Sequence, residues 1–265
     1  MNIVDHRSIL VSMSVAGHDM YFDFASYSIP SFLNNCKGVK LIVFTDNVSK
    51  LEKYKDISDN LIIADFNKAF QEHKKNMPNV IAKSLDNDKV SYGDYNHNHI
   101  LVSSLLPMAH YEALNMDDIQ YIIKVDCDGY FAGENMIESV AKDISKVPDY
   151  DLYLVDRTHK WMGLFGKGLP GVGFTMWKKN GNFIKEYNNL FDGNEQGTIV
   201  FKCFINKKVK TNILLNPAYH FVFPFHPKHM KKKRNFVKQD LEQFLPAYFH
   251  VHKIEELQKM KLWFG

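Results

Sequence analysis

Four short apolar runs, each carrying a glycine or a polar residue at or near its end, constrain the fold of this chain more than any other feature. They span residues 8–17, 40–47, 60–66 and 121–131. Each has the length and apolar density of a buried strand. The segments between them carry helical spacing instead. Phe24, Tyr27, Phe32 and Leu33 mark a helix ending near Cys36, which Pro30 is expected to kink or restart. Residues 67–99 are polar and read as an irregular or partly helical excursion. Residues 100–114 look helical despite Pro107, and Met136, Ile137, Val140 and Ile144 share one helical face after the fourth run. Residues 151–156 form a further strand. Strands alternating with helices predict an α/β layered fold, with a mainly parallel central sheet flanked by helices.

Ligands of such folds bind beyond the carboxyl ends of the strands. Gly17, Asp46, Asp126 and Asp128 are the polar strand ends here, and the fold would bring them to one edge. The fourth run, Tyr-Ile-Ile-Lys-Val-Asp-Cys-Asp-Gly-Tyr-Phe, reads as a buried strand ending in two carboxylates one residue apart. Residues two apart on a strand face the same side, so Asp126 and Asp128 can converge. Paired carboxylates repel each other, and a hard divalent cation relieves that repulsion. An Asp-x-Asp also arises by chance in solvated turns; the apolar strand before it and the Gly-aromatic exit after it argue for a built site.

Composition narrows the class. The chain has 265 residues and a net charge of +3, too small to mark a nucleic-acid binder. Cys36, Cys127 and Cys203 are odd in number and widely spaced, which fits neither a disulfide framework nor a thiolate zinc site and points to a reducing cytoplasm. Asp5, Asp19 and Asp23 flank the first apolar run, unlike a signal peptide, and no apolar stretch is long enough to span a bilayer.

The second half is richer in loops. Residues 163–173 hold five glycines and a proline and feed a strand at 172–177. Phe183, Ile184, Tyr187 and Phe191 make one helical face; Ile199, Val200, Phe201, Phe204 and Ile205 make another, opened by Asn194-Glu195-Gln196-Gly197. Without a linker or repeat, residues 1–265 read as a single domain. Trp161 and Trp177 could stack on a ligand or pack in the core. The basic run at 226–236 and the aromatic-basic tail ending in Leu262, Trp263 and Phe264 are candidates for peripheral contact with a membrane surface.

Taken in order, residues 11–17, Phe44-Thr45-Asp46, Asp126-Cys127-Asp128, the strand at 171–174, Asn194-Glu195-Gln196 and Ala247-Tyr248-Phe249-His250 resemble the GT-A class of nucleotide-sugar-dependent glycosyltransferases, without pointing to one family. The resemblance implies a GT-A-like, Rossmann-like fold, with residues 1–131 as donor half and 132–265 as acceptor half with a C-terminal closing segment. It implies transfer of a hexose from a nucleotide diphosphate, UDP above all, to a glycan or glycolipid hydroxyl in surface polysaccharide or glycoconjugate synthesis. Val15, Ala16 and Gly17 would present backbone to the nucleoside, and Asp46 would bind base or ribose. Asp128 would bind Mn2+ or Mg2+ directly, Asp126 would share the ion or hold the ribose, and His250 would be the third ligand, with His252 as substitute. Lys253 would contact the diphosphate as a compact point charge. An inverting transferase needs a base for the acceptor proton, for which Glu195, and after it Asp156, are the candidates; a retaining one need not have that base.

Asp126-Cys127-Asp128-Gly129 also resembles the nucleophile motif of haloacid-dehalogenase-type phosphatases, which would make Asp126 a nucleophile. That motif normally follows a first strand, whereas three strands precede it here. A carbohydrate-binding protein without turnover is the non-enzymatic alternative.

Overall fold

The computed structural model describes residues 3–85, 95–156, 170–214, 216–222, 238–251 and 253–265. Its strands are β1 (Ile9–Val15), β2 (Lys40–Thr45), β3 (Leu61–Asp65), β4 (Tyr121–Val125), β5 (Gly129–Ala132), β6 (Leu152–Asp156), β7 (Pro170–Lys178), β8 (Thr211–Leu214), β9 (Phe221–Val222) and β10 (Ala247–His250). The helices are α1 (Asp19–Asn35), α2 (Phe66–His73), α3 (Asn79–Leu85), α4 (Tyr95–Leu114), α5 (Met136–Ser145), α6 (Phe183–Leu190), α7 (Lys238–Glu242) and α8 (Ile254–Phe264); a π-helix spans Gly197–Ile205.

Seven strands form the central sheet in the order β3-β2-β1-β4-β7-β6-β8. The first four are mutually parallel, as the alternation of runs and helices predicts, and β7 enters antiparallel beside β4. Alternate residues of the central strands enter two apolar layers. On β4, Tyr121, Ile123 and Val125 join the layer containing α1 and α5, while Ile122 joins the layer containing α4 and α6. Burial on both faces explains why these runs are almost continuously apolar.

Two expectations change. α1 passes through Pro30 without interruption, because Phe24, Ile29, Phe32 and Leu33 are buried around it and tertiary packing holds the helix on both sides of the proline. The polar segment after residue 66 is more regular than its composition suggests: α2 buries Phe66, Ala69 and Phe70, and α3 buries Ile81. Three apolar residues at helical spacing suffice to dock α2 on the sheet.

The expected single strand over 121–131 is two strands in two sheets. β4 ends at Val125, the chain turns through Asp126–Asp128, and β5 leaves to pair with β10 in a small sheet ordered β5-β10-β9. Asp126 and Asp128 therefore lie on a connection, and their convergence comes from the turn and not from strand alternation.

Candidate active site

The turn that carries the two aspartates is clamped from the second sheet. Antiparallel pairing sets His250 opposite Gly129 and Tyr248 opposite Phe131. The Tyr248 hydroxyl donates to the Asp126 carbonyl at 2.7 Å, and the Val251 amide donates to the Asp128 carbonyl at 2.9 Å. Gly129 is required for this closeness, since a Cβ there would fall within the Tyr248 ring.

The same register delivers a histidine to the carboxylates. His250 Nε2 lies 3.0 Å from Asp128 Oδ1 and 3.7 Å from Asp126 Oδ2. Burial opposes a charge on this ring, but Asp128 and then Asp126 outweigh it and raise the His250 pKa. One donor atom from each of the three residues lies within 4.8 Å of the others. Ligands about 2.0–2.6 Å from a common ion stand at such separations; the two carboxylates suit Mn2+ or Mg2+, and the imidazole favours a transition ion such as Mn2+ over Mg2+. The residues present thus fit the divalent ion that the sequence implied. Cys127, between the aspartates, is buried; burial first, and then the flanking carboxylates, push its thiol well above the usual value.

A lysine that the sequence reading passed over completes the cluster. Lys124 Nζ lies 2.6 Å from Asp126 Oδ1 and 3.2 Å from Glu195 Oε1, with only 2% of the residue exposed. Burial works against its charge, and Asp126 and Glu195 more than compensate, raising its pKa. Glu195 stands two residues before the π-helix, on the α4 side of the sheet. Burial raises its pKa, the Asp126 charge adds to that, and Lys124 opposes. A lysine interrupting the run Tyr-Ile-Ile-Lys-Val was the legible sign: a buried strand holds an ammonium only if carboxylates wait for it. Tyr248, two residues before His250 on the same strand face, was legible in the same way.

The other expected residues are placed as follows. Val15 and Ala16 are buried at the end of β1, and Gly17 follows with φ of 93°. Its amide donates to Asp46 Oδ2 at 3.0 Å, joining the ends of β1 and β2. Asp46 Oδ1 is buried and has no hydrogen-bond partner among the described residues. Gly17 and Asp46 line an open cleft of about 360 Å³ with His18, Asp19, Phe22, Asn47 and Lys50. Lys253 is exposed at the N-terminal cap of α8, three residues beyond His250. The Asp156 side chain, His252, Trp161, most of the glycine-rich loop and the basic run at 226–236 lie outside the described residues. Trp177 is buried in the core and donates through Nε1 to His110 Nδ1 at 3.3 Å, so it offers no face to a sugar.

No family model matches the chain, and no curated protein matches it in sequence. Solved structures match it in fold. A glycosyltransferase involved in the glycosylation of the major capsid of PBCV-1 superposes with a TM-score of 0.52 at 11% identity, over 96% of this chain and 98% of that one. Mouse xyloside xylosyltransferase 1 in its apo form superposes with a TM-score of 0.57 at 10% identity, over 91% of this chain and 97% of that one. The chain therefore has a GT-A-like glycosyltransferase fold, with no narrower family assigned. Among the described residues, no helix is long and apolar enough to cross a membrane.

Proposed function

We propose that this protein is a metal-dependent glycosyltransferase that moves a hexose from a nucleoside diphosphate donor, UDP-hexose first, to a glycan or glycolipid hydroxyl. Synthesis of a surface polysaccharide or glycoconjugate is the setting that fits. One observation carries the reading: Asp126, Asp128 and His250 converge at the ends of parallel strands, in a fold shared with glycosyltransferases.

In this reading residues 1–131 are the donor half. Val15, Ala16 and Gly17 would present backbone to the nucleoside, and the unpartnered oxygen of Asp46 would accept from base or ribose. Asp126, Asp128 and His250 would hold Mn2+ or Mg2+, which when bound supplies Lewis-acid charge beside the diphosphate leaving group. Lys253, exposed after β10, would reach the diphosphate as the closing segment settles. From the acceptor half, Glu195 takes the proton of the attacking hydroxyl, with Asp156 as the second candidate. A carboxyl whose proton affinity is raised by burial suits that role. The three cysteines are buried free thiols, which favours a reducing cytoplasm. Peripheral contact with a membrane would fall to residues 226–236 and to Leu262, since Trp263 and Phe264 pack against the core.

A thermal-shift panel of nucleotide sugars with and without Mn2+ tests the reading, because a ligand bound to the native state raises its stability. UDP-hexoses are expected to raise the melting temperature only when Mn2+ is present. An equal shift without metal would overturn the metal dependence, and no shift with any nucleotide sugar would overturn the donor assignment. Release of inorganic phosphate from sugar phosphates, with no acceptor present, would support the phosphatase alternative instead.

A further inference from the structure

We infer that Lys124 is a positioning residue that sets both the charge and the denticity of the metal site and ties it to Glu195. The inference rests on the metal-dependent transferase reading above.

Three carboxylates gather here, and Lys124 is the cation between two of them. Its ammonium is 2.6 Å from Asp126 Oδ1 and 3.2 Å from Glu195 Oε1. It reaches them because β4 alternates: Ile122 enters the α4-side layer, and Lys124, two residues on, enters it too, where the π-helix begins. In strand register Lys124 stands opposite Ser12 on β1 and Thr175 on β7, so strands flank it on both sides and its backbone is fixed. Nothing about folding alone demands an ammonium at this point, where an apolar residue would bury at lower cost.

Two consequences follow for the site. With Oδ1 committed to Lys124, Asp126 offers an ion one oxygen, Oδ2, the atom that faces His250. The ammonium also cancels one carboxylate charge, so Asp126, Asp128, Glu195 and Lys124 together carry two negative charges, matching one divalent cation. Because the same ammonium holds Glu195, the donor-side carboxylate and the acceptor-side carboxylate are oriented by one group. A shift of either is felt by the other.

The test is Lys124→Met, close in length but neutral, compared with the wild type by calorimetric Mn2+ titration and by transfer kinetics. Loss of the ammonium removes its repulsion of the ion and frees Asp126 Oδ1 for chelation. Both changes tighten Mn2+ binding, by about tenfold. With Asp126 and Glu195 no longer oriented, kcat is expected to fall by at least about tenfold, and the donor KM to change less. Tighter metal with slower turnover is a pairing that general loosening of the fold does not produce. A variant with wild-type Mn2+ affinity, or with wild-type kcat, would overturn the inference.

Should Lys124→Met fail to fold, Lys124→Met with Glu195→Gln removes one charge of each sign and leaves Asp126 as the one carboxylate that has lost its ammonium. That variant restores the net charge but still frees Asp126 Oδ1, so it is expected to bind Mn2+ about threefold more tightly than wild type while transfer stays low; weaker binding than wild type would overturn the denticity argument, and a full tenfold tightening would overturn the charge argument. Failure of the underlying reading has its own signature. A wild-type protein that does not take up Mn2+ overturns the metal site, and this inference falls with it. Uptake in the wild type that Lys124→Met leaves unaltered overturns the inference alone.

Discussion

Asp126, Asp128 and His250 offer the same kinds of donor atom, at the same spacing, as Glu72, His73 and Glu112. Only the first group has a structure built around it among the described residues. Its members come from the turn after β4 and from β10, elements more than a hundred residues apart, and Tyr248 and the Val251 amide hold the turn from behind. The second group lies on α2 and α4. α2 runs back from the end of β3 and α4 leads into the start of β4, which sets this group towards the opposite edge of the sheet. There His73 Nε2 meets Glu112 Oε1 at 3.0 Å, and its ring stacks on Tyr111 at 5.6 Å. The pair is partly buried and satisfies itself. A set of ligating residues becomes a candidate site when supports fix it, not when donors merely stand close.

Substituting each cluster in turn breaks or sharpens this contrast. Asp128→Ala carries the largest expected effect, a loss of transfer and of Mn2+ affinity of at least about 100-fold. Normal turnover in that variant would remove the cluster from the chemistry. Gly129→Ala comes next, because the added methyl meets the Tyr248 ring behind the turn. A cost of about 3 kcal/mol is expected in urea unfolding, together with weakened Mn2+ binding; wild-type stability would show that the turn is not held from behind.

His110 sharpens the comparison from the second region. It is buried beside Tyr111 and accepts from Trp177, and burial, helped by Lys179, lowers its pKa to about 4. The unfolded chain protonates this histidine near pH 6.5, so it binds more protons than the native state below that value. The stability His110 contributes is complete above pH 6.5 and is lost as pH falls towards 4. Relative to His110→Gln, the wild type should lose about 2 kcal/mol between pH 7.5 and pH 5. Parallel pH profiles for the two proteins would show that the ring is not held neutral. His73→Ala is the smallest expected change, about 0.5 kcal/mol in stability. Mn2+ titration should not distinguish it from wild type; weakened uptake would make the second cluster a site after all.

Much of this was legible in the sequence, and the physical reason differs from place to place. β1, β2 and β4 could be read because strands buried on both faces must be nearly all apolar, and the partly buried edge strand β3 keeps an apolar run that packs against both layers. Asp126 and Asp128 could be read because a charged pair after such a run is costly unless used. α2 was hard to read because only Phe66, Ala69 and Phe70 mark it within a polar segment. Lys124 stood in plain view as a lysine in an apolar run, yet its partner Glu195 lies seventy-one residues on and no local pattern names it.

The sequence by itself determined the parallel α/β layering, the strand ends that carry polar groups, and the chemical types able to hold a divalent ion, since burial and periodicity are local properties. Tertiary structure alone decided that the strand breaks at Asp126, that β10 pairs with β5 so His250 meets Asp128, and that Lys124 reaches Glu195. Register and long-range ion pairing depend on how distant segments pack, and no window of the chain contains both partners.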